Sequence, residues 1–487
     1  MTYKHGIFTS EQATGLIPMT ETDAGLIVAF GTAPVHLASD RAQENTPVLC
    51  YTYKDAVAAK DAVAALGYSD DWKKYTLCEA IYTHFALYNM APIVLVNCLS
   101  TKKHTKKKTS VEVKLTDGSA KIDDAVLLET LQLSTQVSGE ADTVKGTDYT
   151  AAYNDDDEVV LTTLDGGKLA SANTVYATYT ALDPSTVTAD DIVGGVSTET
   201  GASSGLELLD EVYPRFGIVP GIVIAPGWSD NTAVAAVMKA KAKNIDTVFR
   251  AITIHDVADS VTKYSDVSEW KNKNNFTDTT EIVCWPRVKN GDKLYHLSTQ
   301  MASLMNQVDS ENKDIPYYSP SNHSLQADGA CLADETDVYL NVGSAGYLNG
   351  QGVITALNFI GGWKLWGNRT AAYPSNTDPK DAMLTNRRMF NWVGNTLVTS
   401  FWSKIDNPAN KRLIATVVDS ANIWLNGLTA SECLLGGRVE FRSDENTTTD
   451  LEDGKLHFHV YITPPSPARE IDFIQEYDPS YMDTLFE

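Results

Sequence analysis

Apolar positions between Arg387 and Trp402 fall three or four residues apart, with Phe390, Val393, Leu397 and Phe401 on one stripe, which predicts a helix. A second helix is expected from Asn407-Pro408, because Asn caps free N–H groups and Pro at the first helical position has none to orphan. Along it Leu413, Val417, Trp424 and Leu428 face one way and Ile414, Val418, Ala421 and Leu425 the next, a wide apolar face ending near Gly427. Gly436-Gly437 predicts a turn before the short alternating run Arg438–Arg442. The run Lys455–Ile462 alternates strictly: Leu456, Phe458, Val460 and Ile462 take one face of a strand, and Lys455, His457, His459 and Tyr461 the other. Pro464, Pro465 and Pro467 end it, since proline cannot donate to a ladder and favours an extended linker. Beyond them Glu470–Phe473 alternates again through Ile471 and Phe473, and the tail closes on Leu485-Phe486-Glu487. An isolated strand has no ladder of its own, so this one predicts pairing with the sheet edge of another chain.

The earlier pattern is different. Lys4–Phe8, with Ile7 and Phe8, is a brief extended candidate, read either as an arm or as a frayed terminus or edge strand. Gly25–Gly31 is a continuous apolar run suited to a strand buried on both faces, and so is Ile93–Val96. Between them lie helical patterns at Asp55–Leu66 and at Leu77, Ile81, Phe85 and Tyr88. Strand and helix alternate again after Leu206. Helices are expected at Leu206–Val212, from a cap at Asp230 to Lys243, and at Leu297–Val308 with Met301, Leu304 and Met305 inward. Strands are expected at Ile218–Ala225, Thr247–Ile254 and Glu281–Trp285. This alternation is the signature of an α/β layer.

Composition changes the picture in the middle. From Ser110 to Gly205 there are 17 acidic residues against 4 lysines, a net −13 out of −24 for the whole chain, with no Trp or Phe. Short alternating runs at Glu158–Thr162 and Thr174–Tyr179 make this a mostly β insert, bounded by the basic Lys102–Lys108 stretch and the Gly201–Gly205 linker. The expected architecture is therefore α/β and discontinuous: an arm at 1–20, a core at 21–100 and 206–365, an acidic β-rich insert at 101–205, an α+β domain at 366–465 and a second arm at 466–487. Asn341–Gly367, rich in glycine and carrying Trp363 and Trp366, reads as a loop-rich bridge into the C-terminal domain.

Charge and motifs narrow the function. A net −24 argues against general nucleic-acid binding. No apolar run reaches the roughly 18 residues of a membrane span, and Met1-Thr2-Tyr3-Lys4 does not open a signal peptide. The six cysteines are scattered without a C-x-x-C, which fits reduced thiols. Gly201-Ala202-Ser203-Ser204-Gly205 has the letters of a nucleophile elbow, but a polar linker precedes it where the elbow needs a core strand. His457 and His459 share a strand face without a third metal ligand, and Asp155–Glu158 lacks the ligand spacing of a calcium loop. Gly227-Trp228-Ser229-Asp230 stands between a strand and a helix start, where a doubly wound sheet would hold an anion.

The run Gly454–Phe458 into Ile462–Ala468, with the two helices before it and Leu485-Phe486 after it, resembles the C-terminal region of contractile tail sheath proteins of phages and related injection machines. His5–Phe8, Ala29–Pro34 and Phe216–Trp228 resemble the family's opening and middle, so the likeness spans all but about 101–205. It implies a structural protein, with no catalysis and no cofactor. The resemblance also implies a helical homopolymer of stacked six-fold rings around an inner tube protein, with baseplate and tail terminator proteins as further partners. It implies assembly in the bacterial cytoplasm, no nucleic-acid partner and no membrane insertion. The inter-subunit strand contacts would then be Ile7, Phe8, Leu456, Phe458, Val460, Ile462, Ile471 and Phe473. The inner domain would face the tube, with Arg387, Arg388 and Lys404 as candidate contacts. Two other readings stand beside this one: an α/β enzyme binding an anionic ligand at Gly227–Asp230, and a surface or adhesion protein, suggested by the Thr-rich acidic insert.

Overall fold

The continuous apolar runs lie side by side in the computed structural model, which describes residues 16–51, 60–137 and 141–485. They form an eight-stranded sheet from β1 (Ile27–Gly31), β2 (Val48–Cys50), β3 (Ile93–Asn97), β4 (Ile222–Ile224), β5 (Ile252–Asp256), β6 (Glu281–Cys284), β7 (Val353–Asn358) and β8 (Trp363–Trp366). Its order is β8-β7-β6-β5-β4-β1-β3-β2. The six inner strands are parallel, and antiparallel β8 and β2 close the edges. Parallel strands need crossovers that cover both sheet faces, so β1, β4 and β5 are buried at every position. The predicted stripe Leu77, Ile81, Phe85 and Tyr88 is wholly buried against them.

Two local readings shift by a few residues. The helix α1 (Thr232–Ala242) is capped by Asn231, whose side chain accepts from the N–H groups of Ala233 and Val234, and not by Asp230. β5 starts at Ile252 and not at Thr247, because Asp246 and Thr247 hold positive φ in a turn closed by the Ile245 N–H to Phe249 carbonyl bond. The helix α2 (Leu297–Glu311) buries Met301, Leu304 and Met305 as its pattern predicts.

The acidic middle segment folds as two three-stranded antiparallel sheets. One orders Thr105–Lys114, Thr174–Leu182 and Gln132–Ser134; the other orders Ser119–Ile122, Val159–Thr163 and Tyr149–Tyr153. They share a separate core around Val126, Leu161 and Val175. After Leu182 the chain returns to the α/β unit, where Val187 and Ile192 enter the main core.

The C-terminal unit packs α3 (Leu384–Phe401) and α4 (Lys411–Ala430) against a hairpin of β9 (Gly436–Glu440) and β10 (His459–Thr463). α4 starts three residues later than expected, with Asn410 and not Asn407 accepting the Leu413 N–H. Gly437 sits where the sheet crosses α4: a Cβ there would lie 3.4 Å from the Leu425 Cβ.

One face of α3 has no counterpart in the apolar pattern. Arg388, Trp392, Thr396 and Ser400 recur every four residues, and each bonds the backbone of the extended segment at 20–24. Ser400 Oγ accepts from the Thr20 N–H at 2.8 Å, Thr396 Oγ1 from the Thr22 N–H at 3.4 Å, Trp392 Nε1 donates to the Thr22 carbonyl at 2.6 Å, and Arg388 donates to the Ala24 carbonyl at 3.1 Å. The Arg388 guanidinium also forks onto Asp309, at the end of α2, in a pair that is 3% and 1% exposed by side chain. Asn395 adds a double bond to the Arg250 peptide, donating to its carbonyl at 2.8 Å and accepting from its N–H at 3.0 Å. Through these bonds the N-terminal segment, the α/β unit and the C-terminal unit are tied to one helix.

Removing one member of such a pair strands the other charge in the interior. Arg388→Met is expected to lower the unfolding free energy by about 3–5 kcal/mol, because Asp309, whose pKa burial already raises, loses its partner. Arg388→Met with Asp309→Leu should recover most of that loss, and urea unfolding of both variants would check it.

Candidate assembly interface

The hairpin β9–β10 is a sheet of two strands, and its two outer edges differ. In an antiparallel strand successive residues turn their N–H and C=O to alternate sides. Val439 of β9 turns both groups to α4, where the Asn422 amide donates to its carbonyl at 3.0 Å and accepts from its N–H at 2.8 Å. That side chain takes the place of a neighbouring strand, so the β9 edge is occupied. Val439 opposes Val460 and Gly437 opposes Ile462, so Val460 and Ile462 turn their backbone groups to the far edge. Before β10 the same role falls to Asn446, which donates to the His457 carbonyl and accepts from its N–H, each at 2.8 Å. Because that amide replaces a strand, the ladder begins at His459 and not at Lys455. Leu456 and Phe458 therefore face outward as well.

Leu456, Phe458, Val460 and Ile462 thus line one edge. Among the described residues their backbone groups find no hydrogen-bond partner. Their side chains turn to the helices: Phe458, Val460 and Ile462 pack on the C-terminal core. Along this edge opens a groove of about 740 Å³ whose walls include Leu397 and Phe401 of α3, Leu413 and Val417 of α4, and Leu456 and Phe458.

The segment after β10 leads away from this edge. Ser466 Oγ accepts from Asn386 Nδ2 at 3.1 Å, and Pro467 to Arg469 rest in a cleft with Asn322, Trp366 and Tyr373. From Glu470 to Met482 the side chains are exposed. Ile471 is 71%, Phe473 83% and Ile474 89% accessible, without a ladder partner among the described residues. Contiguous apolar side chains of this size left in water mark an interaction site.

The remaining expected contacts divide. Ile7 and Phe8 lie outside the described residues. Arg388 is corrected: it is buried in its pair with Asp309 and has no surface to offer a partner. Nothing near Arg388 along the chain signals this, because Asp309 is 79 residues away. Arg387 is mostly buried too, paired with Asp381 at 3.1 Å. Lys404 is half-buried, lines the groove and has no ion-pair partner among the described residues. Beside it, and unanticipated, stand exposed Lys411 and Arg412, also without ion pairs there, and the exposed apolar side chains of Trp402 and Ile405.

The Gly227–Asp230 turn offers little to an anion. Ser229 is buried and bonds Asp256, with the Asp256 N–H donating to its Oγ at 3.1 Å. The cavity there, about 60 Å³, is lined by Asp230, Asp256 and Asp259. Burial raises the pKa of Asp230 and Asp256, as expected of carboxyls crowded together away from water. An anion would meet three carboxyl groups, while the two basic side chains of the lining are already engaged, Arg287 with Asp259 at 2.8 Å and His296 with Glu79 at 2.7 Å. His459, on the hairpin, pairs with Glu445 at 2.7 Å.

No family model matches the chain. The tail sheath protein of Burkholderia phage BcepMu is 26% identical to it over 500 residues, covering 99% of this chain and 98% of that one. Among solved structures, the contracted sheath complex of an extracellular contractile injection system, PVC, aligns over 99% of both chains with a TM-score of 0.59 at 14% identity. The contracted helical sheath of the anti-feeding prophage aligns over 98% of this chain and 100% of that one, with a TM-score of 0.56 at 13% identity. The structural likeness shows that the mixed α and β fold is that of sheath subunits.

An edge with alternating free and bonded amides has a direct signature. In the isolated subunit the amides of Val460 and Ile462 should exchange with solvent roughly a hundredfold faster than that of Tyr461, which faces β9. Hydrogen exchange read residue by residue would check this, and equal protection of all three would show the edge to be covered.

Proposed function

We propose that this chain, a relative of the contractile tail sheath proteins along its whole length, is the structural subunit of a sheath that polymerises helically around an inner tube. The observation that carries the reading is the pairing of an open sheet edge with a bare apolar tail in one chain. Each needs a strand that the chain itself does not provide. A subunit that offers an edge at one place and a strand at another makes a heterologous contact, and such contacts propagate as a helix when the rotation includes a rise.

In this reading the strand around Ile471 and Phe473 adds to the edge Leu456–Ile462 of a neighbour, and the N-terminal arm with Ile7 and Phe8 reaches another. Main-chain bonds give each arm its affinity, alternate apolar side chains its register, and repetition its strength. The C-terminal unit faces the tube and the acidic insert faces outward. On contraction the subunits rotate as near-rigid bodies while the exchanged strands keep them joined. The drive is a kinetically trapped extended state, with no nucleotide. Baseplate and terminator proteins close the two ends of a phage tail or phage-tail-like particle.

The reading is tested by electron microscopy of the chain, full length and truncated after Pro467, each mixed with the tube protein. Sheathed tubes are expected from the full chain and none from the truncated one. Equal assembly of both would remove the C-terminal arm from the mechanism, and bare tubes with the full chain would overturn the sheath role.

A further inference from the structure

The edge of β10 is open to more than one strand, and the charges around it discriminate among them. Lys404 lines the groove, and Lys411 and Arg412 lie on the first turn of α4, whose Leu413 and Val417 form its wall. In a chain of net −24, three cations without ion pairs among the described residues, gathered around one turn against the single carboxylate of Asp406, leave that turn net positive. The groove also takes in Asp453, Gly454 and Leu456, so this turn stands at the Leu456 end of the edge and not at the Ile462 end.

The two arms differ in charge. The first fifteen residues hold one lysine and one glutamate, whereas Arg469 to Asp478 holds one arginine against Glu470, Asp472, Glu476 and Asp478. Those four carboxylates are exposed. Ile471, Phe473 and Tyr477 share one strand parity, the face that a strand laid on β10 would turn to the groove. Direction follows from charge. A tail running parallel to β10 would bring Arg469 to the cationic turn along with Glu470 and Asp472. A tail running antiparallel enters beside Ile462 and carries Glu476 and Asp478 to it.

We infer that the turn of Lys404, Lys411 and Arg412 selects the acidic C-terminal tail of a second copy of this chain and sets it antiparallel against β10, with Ile471, Phe473 and Tyr477 over the groove. The inference rests on the strand-exchange reading and adds to it in which direction the tail lies on the edge and by which charges it is chosen. Rim charges of this kind govern encounter rate and partner choice more than the depth of binding, so their effect is screened by salt.

The test is binding of a fluorescent peptide of residues 466–487 to the full-length protein, read by anisotropy at about 0.05 M and about 0.5 M salt. Two partners carry reversed charge: a Lys404→Glu, Lys411→Glu, Arg412→Glu protein and a Glu476→Lys, Asp478→Lys peptide. Each reversal alone should weaken binding roughly tenfold at low salt, the two together should restore it, and both effects should fade at high salt. Lys411, Arg412, Glu476 and Asp478 are exposed and Lys404 is half-buried, and unchanged thermal unfolding of the variant confirms that it folds. Binding that ignores the reversals, or reversals that fail to rescue each other, overturns the charge selection while strand exchange stands. If the unmodified peptide does not bind at all, and neither does an Ile471→Asp, Phe473→Asp control, strand exchange by this tail fails with it.

Discussion

A backbone N–H or C=O removed from water must find a partner, and this requirement organises the subunit more than any single apolar contact. Where strands meet strands the ladder meets it. Elsewhere the chain meets it with carboxamides placed to bond both groups of one peptide: Asn395 on Arg250, Asn422 on Val439, Asn446 on His457. Each is a side chain standing in for a strand. The edge of β10 has no such substitute among the described residues, and its free groups alternate as a strand laid on it would need.

The same requirement makes the subunit rigid. The segment at 20–24 has no strand partner, and its peptides are taken up by Arg388, Trp392, Thr396 and Ser400 along α3. Because Arg388 also grips Asp309, the C-terminal unit cannot turn against the α/β unit without breaking a buried, doubly bonded ion pair. A body tied in this way moves as a whole, and relative motion between subunits falls to the segments that leave it.

How much of this could be read along the chain depended on whether the cause was local. The buried strands β1, β3 and β4 were visible because a continuous apolar run bounded by glycine or proline has few other uses. The alternation of Lys455–Ile462 was visible for the same reason, and so was the isolation of Glu470–Phe473 behind three prolines. What was not legible came from contacts across hundreds of residues. Arg388 reads as a candidate tube contact because Asp309 and Ala24 are remote in sequence. The polar stripe of α3 was hidden by the apolar stripe beside it, since the search for helical period counts apolar positions. Choices among adjacent caps also went astray: Asn231 competes with Asp230 and Asn410 with Asn407, and tertiary placement decided each. The open edge was legible as a strand but not as an edge, because Asn422 occupies the other side of the sheet from within a helix.

A tail that is apolar and an edge that is open in the same chain raise the question of why they do not satisfy each other. The segment between them supplies the answer. To lie antiparallel on its own β10, the chain would have to reverse direction within a few residues after Thr463, a task that natural hairpins give to Gly and Asn at positive φ. Here those residues are Pro464, Pro465, Ser466 and Pro467, which favour an extended path of about 3 Å per residue. The path is also held: Ser466 is bonded to Asn386 at the start of α3, and Pro467 to Arg469 lie in the cleft with Asn322, Trp366 and Tyr373. By Glu470 the tail has been led into that cleft and not back along β10, so it leaves the edge of its own β10 unpaired.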